Sequence, residues 1–280
     1  ARVPQGLRDD IAFAHDNVRR FAEAQKQSVR DVQTEGVPGL IAIAQSTTAS
    51  VFNNAAVQNG ELEAGLAAAD VTRSMYLGEG KFEGKPHPNL RVVANLFPED
   101  LHLVMPAGQS IDSLADLKGK RVGIAQAGSG TQVAVLQMLD AWGVNRDNMD
   151  EAELNNSQSA ERLADGQLDA YFYAAGWPVS AMVQLASTKG MELHSFTDED
   201  LKKINDLIPA YIPSKIPAGV YEGIETEPLT PAVSAFLNVS SDLSEDLVYQ
   251  LTKALWNDNT RKLLDNGHAK GKQITAETAL

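Results

Sequence analysis

The fold reading turns on Arg121-Val122-Gly123-Ile124-Ala125-Gln126-Ala127-Gly128-Ser129-Gly130-Thr131. Arg121–Ala125 is a short apolar run of strand character, and Val133–Trp142 downstream has helical spacing. Between them lies a turn of glycines and hydroxyls. The first N–H groups of a helix lack intrahelical partners and carry partial positive charge. Glycines let a ligand approach that backbone, and Ser or Thr adds neutral donors, so such a turn holds a carboxylate or phosphate without lysine. Ordinary N-capping by Ser or Thr is the plainer account of such a turn taken alone.

A second junction of the same kind precedes it. Gln45-Ser46-Thr47-Thr48-Ala49-Ser50 follows the apolar run Leu40–Ala44 and opens a helix containing Val51, Asn54 and Ala55. Further strand-like runs are Leu62–Ala67, Leu90–Leu96, Leu101–Met105 and Leu168–Tyr173. Strands interleaved with helices predict an α/β architecture with largely parallel sheets. There is also an internal echo. Asn59-Gly60-Glu61-Leu62-Glu63-Ala64 and Asp165-Gly166-Gln167-Leu168-Asp169-Ala170 each close a helix with glycine and open a strand. Either this is the common form of an αβ loop, or two lobes share one plan and face each other across a cleft. Asp70 stands at a strand's carboxyl end or as the N-cap of the next helix. Tyr173-Ala174-Ala175-Gly176-Trp177-Pro178 places aromatic surface at the matching position of the second half, as a pocket wall or a packed turn.

Composition excludes several classes. The 280 residues carry a net charge of -13, which repels nucleic acid and anionic lipid. No cysteine is present, so disulfide and thiolate chemistry are absent. The longest mostly apolar stretch, Ala170 to Ala186, is broken by Gly176-Trp177-Pro178 and falls short of a bilayer span. Ala1-Arg2-Val3-Pro4 does not begin a signal peptide, as expected of a mature secreted chain or of a cytoplasmic one. His15, His87, His102, His194 and His268 lack metal-site spacing, and no nucleophile elbow or Walker loop occurs. Gly78–Gly84 has the wrong spacing for a dinucleotide fingerprint and reads as a surface turn. No catalytic residue, metal or cofactor is therefore expected. Residues 1 to 36 read as one amphipathic helix, with Leu7, Ile11, Ala14, Val18, Phe21, Val29 and Val32 on one face.

From Val37 to Leu280 the chain resembles the TRAP-associated extracytoplasmic immunogenic (TAXI) solute receptors. The resemblance is carried by Val37-Pro38-Gly39, Asn59-Gly60-Glu61-Leu62, Phe82-Glu83-Gly84-Lys85, Pro88–Ala94, Leu101–Val104 and Ser113–Val122. It continues through Gly128-Ser129-Gly130-Thr131, Tyr173–Pro178, Ile216–Tyr221 and Asp246–Leu255. It implies a type II periplasmic binding protein fold, two α/β lobes with a ligand cleft between them. Crossovers are then expected near Val104–Ala107 and Ala232–Leu237, giving lobe I as residues 37–105 and 233–280 and lobe II as 106–232. The family's ligand contacts map onto Thr47, Thr48, Ser50, Asp70, Ser129, Gly130, Thr131, Gly176, Trp177 and Pro178. The implied function is periplasmic capture of a small carboxylate, such as glutamate or a dicarboxylate, by a monomer that delivers it to a TRAP-type membrane permease.

Three features depart from that family. Its opening strand and Gly/Tyr-rich turn do not precede Val37, its Gly-Gly pair is Thr48-Ala49 here, and the chain stops at Thr278-Ala279-Leu280 before the expected tail. In place of the opening, residues 2 to 35 resemble a helical segment of histidinol dehydrogenases, carried by Arg8–Asp16 and Arg19–Gln25. The first βα unit is thus expected to be replaced by an N-terminal helix of foreign character. A zinc- or NAD-dependent dehydrogenase fragment is the alternative reading, and a ligand-sensing domain without transport is another.

Overall fold

The computed structural model of the chain describes residue 37 and residues 40–279; the amphipathic helix expected over residues 1–36 lies outside them. The residues fall into two compact units, one of residues 48–240 and one combining the segment up to Thr47 with residues 241–280.

The larger unit holds one eight-stranded sheet with helices. In chain order its elements are α1 (Ser50–Gln58), β1 (Ala64–Ala68), α2 (Ala69–Leu77), β2 (Leu90–Pro106), β3 (Arg121–Gly123), α3 (Gly130–Ala141), β4 (Asp150–Ala152) and α4 (Asn156–Ala164). There follow β5 (Ala170–Ala175), α5 (Ser180–Thr188), β6 (Met191–Leu193), α6 (Asp198–Leu207), β7 (Tyr211–Lys215) and β8 (Leu229–Ser240). The strand order is β1-β8-β2-β5-β3-β4, with β6 on β2 and β7 on β8.

Only the β3–β4 and β3–β5 pairs are parallel; β1, β2, β5, β6, β7 and β8 meet antiparallel. The expectation of a largely parallel sheet is corrected here. Leu90–Leu96 and Leu101–Met105, expected as separate strands, form the single strand β2, because Phe97-Pro98-Glu99-Asp100 between them stays in register with β8. Two register shifts, at Val92/Ala94 and Asn95/Phe97, act as bulges that bend it. Along its length β2 pairs first with β8, then with β5 from Asp100 to Val104, then with β6. β8 in turn serves β7 with its first half and β1 with its second. These two long strands carry the sheet from the β1 side to the β3-β4-β5 side.

Alternation along the strands divides the core. On β5, Ala170 and Phe172 face one apolar cluster while Tyr171 faces another. On β2, Leu101, Leu103 and Met105 join the first cluster and Val104 the second. Each fully buried side chain of this size stabilises by roughly 1.5–3 kcal/mol. Several polar groups in the interior are paired. Asn238 Nδ2 donates to Asn54 Oδ1 and Thr72 Oγ1, both at 2.8 Å, tying β8 to α1 and α2. His102 Nε2 meets the Tyr221 hydroxyl at 2.9 Å, and that hydroxyl accepts the Val179 N–H at 3.1 Å.

The sequence echo has a structural counterpart. Gly60 and Gly166 both adopt left-handed φ, at 71° and 69°. Glu61 N–H returns to Ala56 O at 2.8 Å, and Gln167 N–H returns to Arg162 O at 2.7 Å. The two helix endings therefore use the same backbone bonds before β1 and β5 begin.

In the smaller unit, Leu40–Ala44 does not form the expected strand, and Ile41 and Ile43 are 78% and 79% exposed. A strand exists only through ladder bonds to a neighbour, and none pairs with this run among the described residues. The C-terminal part forms α7 (Glu245–Leu255) and α8 (Asp258–Gly267). Asn257 Oδ1 caps α8 by accepting Thr260 N–H at 2.9 Å. Arg261 donates to the carbonyls of Gly271 and Ile274, both at 2.6 Å, and so closes the chain back on α8.

Candidate functional site

Within the larger unit a cavity of about 160 Å³ opens where three helices begin. Ala49 and Ser50 start α1, Ser129, Gly130 and Thr131 start α3, and Asn155 and Asn156 start α4; all seven line it. Ala68, Glu99, Tyr173, Ala174, Tyr211 and Val233, from five strands, complete most of the remaining wall. Among the lining residues there is no lysine or arginine.

Local hydrogen bonds fix each helix start. Ser129 Oγ accepts Gln132 N–H at 3.1 Å, so it is the N-cap of α3. Gln132 Oε1 in turn accepts Gly128 N–H at 3.0 Å and holds the preceding turn. Asn155 and Gln158 form a reciprocal capping box at α4, with bonds of 2.9 and 3.1 Å. Ser50 Oγ accepts Ala68 N–H at 3.1 Å, and Asn53 Nδ2 donates to Leu66 O at 2.7 Å. These two side chains of α1 thereby satisfy backbone groups of β1, which has β8 as its only strand neighbour among the described residues. Thr131 Oγ1 accepts Ala174 N–H at 3.1 Å, joining α3 to the end of β5.

The backbone here is strained. Among the described residues Ala49 and Ala125 alone combine a side chain with positive φ, at 81° and 65°, and both line the cavity. Ala49, with ψ -153°, occupies a region that glycine adopts freely and alanine at a cost.

Of the residues singled out in the sequence, the structure brings Ser50, Ser129, Gly130 and Thr131 to one wall. Thr47 belongs to the smaller unit, and Thr48 is exposed beside Ala49 without lining the cavity. Asp70 is the second residue of α2, neither its N-cap nor a strand end, because the helix starts directly after β1. It is 6% exposed, its Oδ1 has no hydrogen-bond partner, and burial raises its pKa to about 6 against the pull of backbone N–H groups and Lys81. Gly176, Trp177 and Pro178 follow β5 away from this lining, with Trp177 packed on the second apolar cluster.

Sequence reading missed Asn155 and Asn156, for which a signal existed. The offset that relates Gly60 to Gly166 also relates Ser50 to Asn156, so α4, not α3, is the counterpart of α1. It missed Glu99 and Tyr211 as well; of the stretch Tyr173–Pro178, read as a pocket wall or a packed turn, Tyr173 and Ala174 line the cavity. Burial and the charge of Glu99 push the Tyr173 hydroxyl up to about 12. Burial, then the charges of Asp70 and Glu99, hold the Tyr211 hydroxyl well above its ordinary value.

An α/β sheet threaded by two long shared strands, with helix starts meeting at a cavity, has the two-lobe fold of periplasmic solute-binding proteins. The chain belongs to the NMT1-like family, whose sequence pattern matches residues 28–280. Among solved structures it is similar to PhnD1 from Prochlorococcus marinus in complex with methylphosphonate. That match has a TM-score of 0.59 and 13% identity, covering 88% of this chain and 85% of the other. It is similar also to the alkanesulfonate-binding protein SsuA from Xanthomonas axonopodis pv. citri bound to MOPS, with TM-score 0.53, 18% identity and coverage of 91% and 73%. A TctC solute-binding protein from Polaromonas gives TM-score 0.50, 17% identity and coverage of 91% and 89%. Two curated relatives match over 41 residues. They are sulfopropanediol 3-dehydrogenase and a histidinol dehydrogenase homolog, both of Ruegeria pomeroyi, at 63% and 61% identity over 15% of this chain. The chain spans about a tenth of the length of these relatives. No cluster of three metal-ligating side chains occurs among the described residues, and none of their helices is long and apolar enough to cross a membrane.

Proposed function

We propose that the chain is a solute-binding receptor that captures a small carboxylate and hands it to a membrane permease, with no catalytic step of its own. The observation that carries this reading is the convergence of three helix N-termini on one cavity without a basic side chain. Each start contributes N–H groups and about half a positive charge, which together hold an anion inside an acidic protein. Ser50, Ser129, Gly130, Thr131 and Asn156 are its first contacts. Thr47, Thr48, Asp70, Gly176, Trp177 and Pro178, outside this lining, belong to the same proposal as further contacts. The lobe division at about residues 105 and 233 belongs to the same proposal, because β2 and β8 are the strands that pair on both sides of it.

The TAXI class, a TRAP-type permease as partner, a periplasmic setting and action as a monomer follow from the sequence resemblance and complete the proposal. A thermal-shift screen against glutamate, 2-oxoglutarate, succinate, sulfonates and phosphonates tests it. Binding restricted to the native state raises stability by about 2.7 kcal/mol at a hundredfold excess over Kd. A shift with one of these anions is the expected result; a cooperative melt indifferent to all of them defeats the receptor reading. A shift with zinc or NAD alone would favour the dehydrogenase alternative.

A further inference from the structure

Behind the starts of α3 and α4 lies a brace of side chains that are not part of the cavity lining. Gln132, in the first turn of α3, is buried, and its amide is satisfied at both ends. Its Oε1 accepts the Gly128 N–H at 3.0 Å, and its Nε2 donates to Glu153 Oε1 at 3.0 Å. Only this orientation of the amide fits, because the N–H needs an acceptor and the carboxylate needs a donor. Glu153 stands two residues before Asn155, the N-cap of α4. The same Glu153 oxygen meets Arg146 at 3.3 Å, and Arg146 also reaches Glu151, on β4, at 3.1 Å. One continuous chain of contacts thus runs from an exposed arginine, through Glu153 and Gln132, to the turn that opens α3.

We infer that Gln132 and Glu153 are positioning residues: their bond fixes the α3 start against the α4 start, and so sets the affinity for an anion held by both. The inference rests on the receptor reading above and deepens it. A site built of backbone N–H groups depends on where those groups point, and a hydrogen-bonded layer behind them supplies that precision. On the α3 side, Gln132 is tied to Ser129 through its own N–H at 3.1 Å and to Gly128 through its side chain. On the α4 side, Glu153 leads through Leu154 into the Asn155–Gln158 capping box. A carboxylate so close to the start of α3 opposes a bound anion, and the Arg146 guanidinium offsets it. What the site needs from Glu153 is therefore its hydrogen bond and not its charge.

Glu153→Gln and Glu153→Leu separate the two, since both remove the charge and only the first keeps an acceptor for Gln132. These variants and Gln132→Met are titrated calorimetrically with glutamate, succinate, ethanesulfonate and methylphosphonate, and the tightest binder to the wild type serves as the probe. Glu153→Gln should bind the probe at least as tightly as the wild type. Glu153→Leu and Gln132→Met should each bind it about five- to tenfold more weakly. The double variant should be no weaker than Gln132→Met alone, because one bond is shared. Without any anion present, the Gly128 amide hydrogen should exchange faster in Gln132→Met than in the wild type. Equal losses in Glu153→Gln and Glu153→Leu, or unchanged affinity in Glu153→Leu and Gln132→Met, overturn the inference and leave the receptor reading intact. Failure of all four compounds to bind the folded wild-type chain removes both.

Discussion

Ser50 and Gly130, from separate helix starts, meet across the cavity: a Cβ built on Gly130 would stand 2.9 Å from Ser50 Oγ and 3.2 Å from the Ala68 methyl. The contact is possible only because Gly130 has no side chain. Ser50 cannot yield easily, since its Oγ already accepts the Ala68 N–H. The close approach of α1 and α3 is thus written into one glycine.

Gly130→Ala should destabilise the fold by about 1–3 kcal/mol, the usual cost of overpacking. Ser50→Ala should cost about 1 kcal/mol or more by leaving Ala68 N–H unpaired. Combined, the two should cost less than their sum by at least about 0.5 kcal/mol, because the second removes the clash made by the first. Urea denaturation of the three variants measures the coupling, and simple additivity would show that the helices do not touch in this way.

Ala49→Gly should stabilise the protein. The φ of 81° and ψ of -153° cost alanine about 1–3 kcal/mol, while glycine sacrifices about 0.5–1 kcal/mol of unfolded-chain entropy. A net gain of about 1 kcal/mol is expected, read as a raised melting temperature. A loss would mean that the turn relaxes to a negative φ. The position coincides with the second glycine of the Gly-Gly pair that the sequence resemblance leads one to expect at Thr48-Ala49.

Thr131→Val separates two roles of one hydroxyl. Its oxygen accepts the Ala174 N–H, so the valine variant leaves a half-buried donor without its partner and should lose about 1 kcal/mol of stability with no ligand present. If the hydroxyl also donates to a carboxylate, affinity falls by a further factor of about 5 to 30. Paired melting and titration data distinguish the two: unchanged affinity at reduced stability would confine Thr131 to a structural role.

Much of the architecture was legible because it is local. The glycines at 60 and 166, the hydroxyl turn at Ser129 and the alternating runs of β2 and β5 each act through their own backbone. What failed depends on neighbours. Leu40–Ala44 has a strand's composition, but composition supplies no partner to pair with. Parallel against antiparallel pairing is decided by chain path, which a run of Leu and Val does not record. At the site, the helix starts announce themselves through Ser, Gly and Thr. Glu99 is one of 37 acidic residues, and Tyr211 follows an ordinary Ile-Pro-Ala. Only the fold brings them beside Thr131.

Asp70 offers a pH test with a definite sign. Its ordinary pKa of 3.8 is raised to about 6 by burial, so on acidification the native state takes up the proton first, near pH 6, and the unfolded chain only near pH 4. Within that window the folded state binds more protons, and stability therefore rises as the pH falls from about 7 to 4. Two pKa units correspond to about 3 kcal/mol, an upper figure because other carboxylates titrate in the same range. Asp70→Asn removes the buried charge and leaves the shape. It should be more stable than the wild type at pH 7, by up to about 3 kcal/mol, with the advantage shrinking toward zero near pH 4. Urea titrations of both proteins at pH 4, 5, 6 and 7 supply the comparison. A difference that stays constant across the series would place the Asp70 carboxylate in contact with water, and would remove its charge from the surroundings of Tyr211.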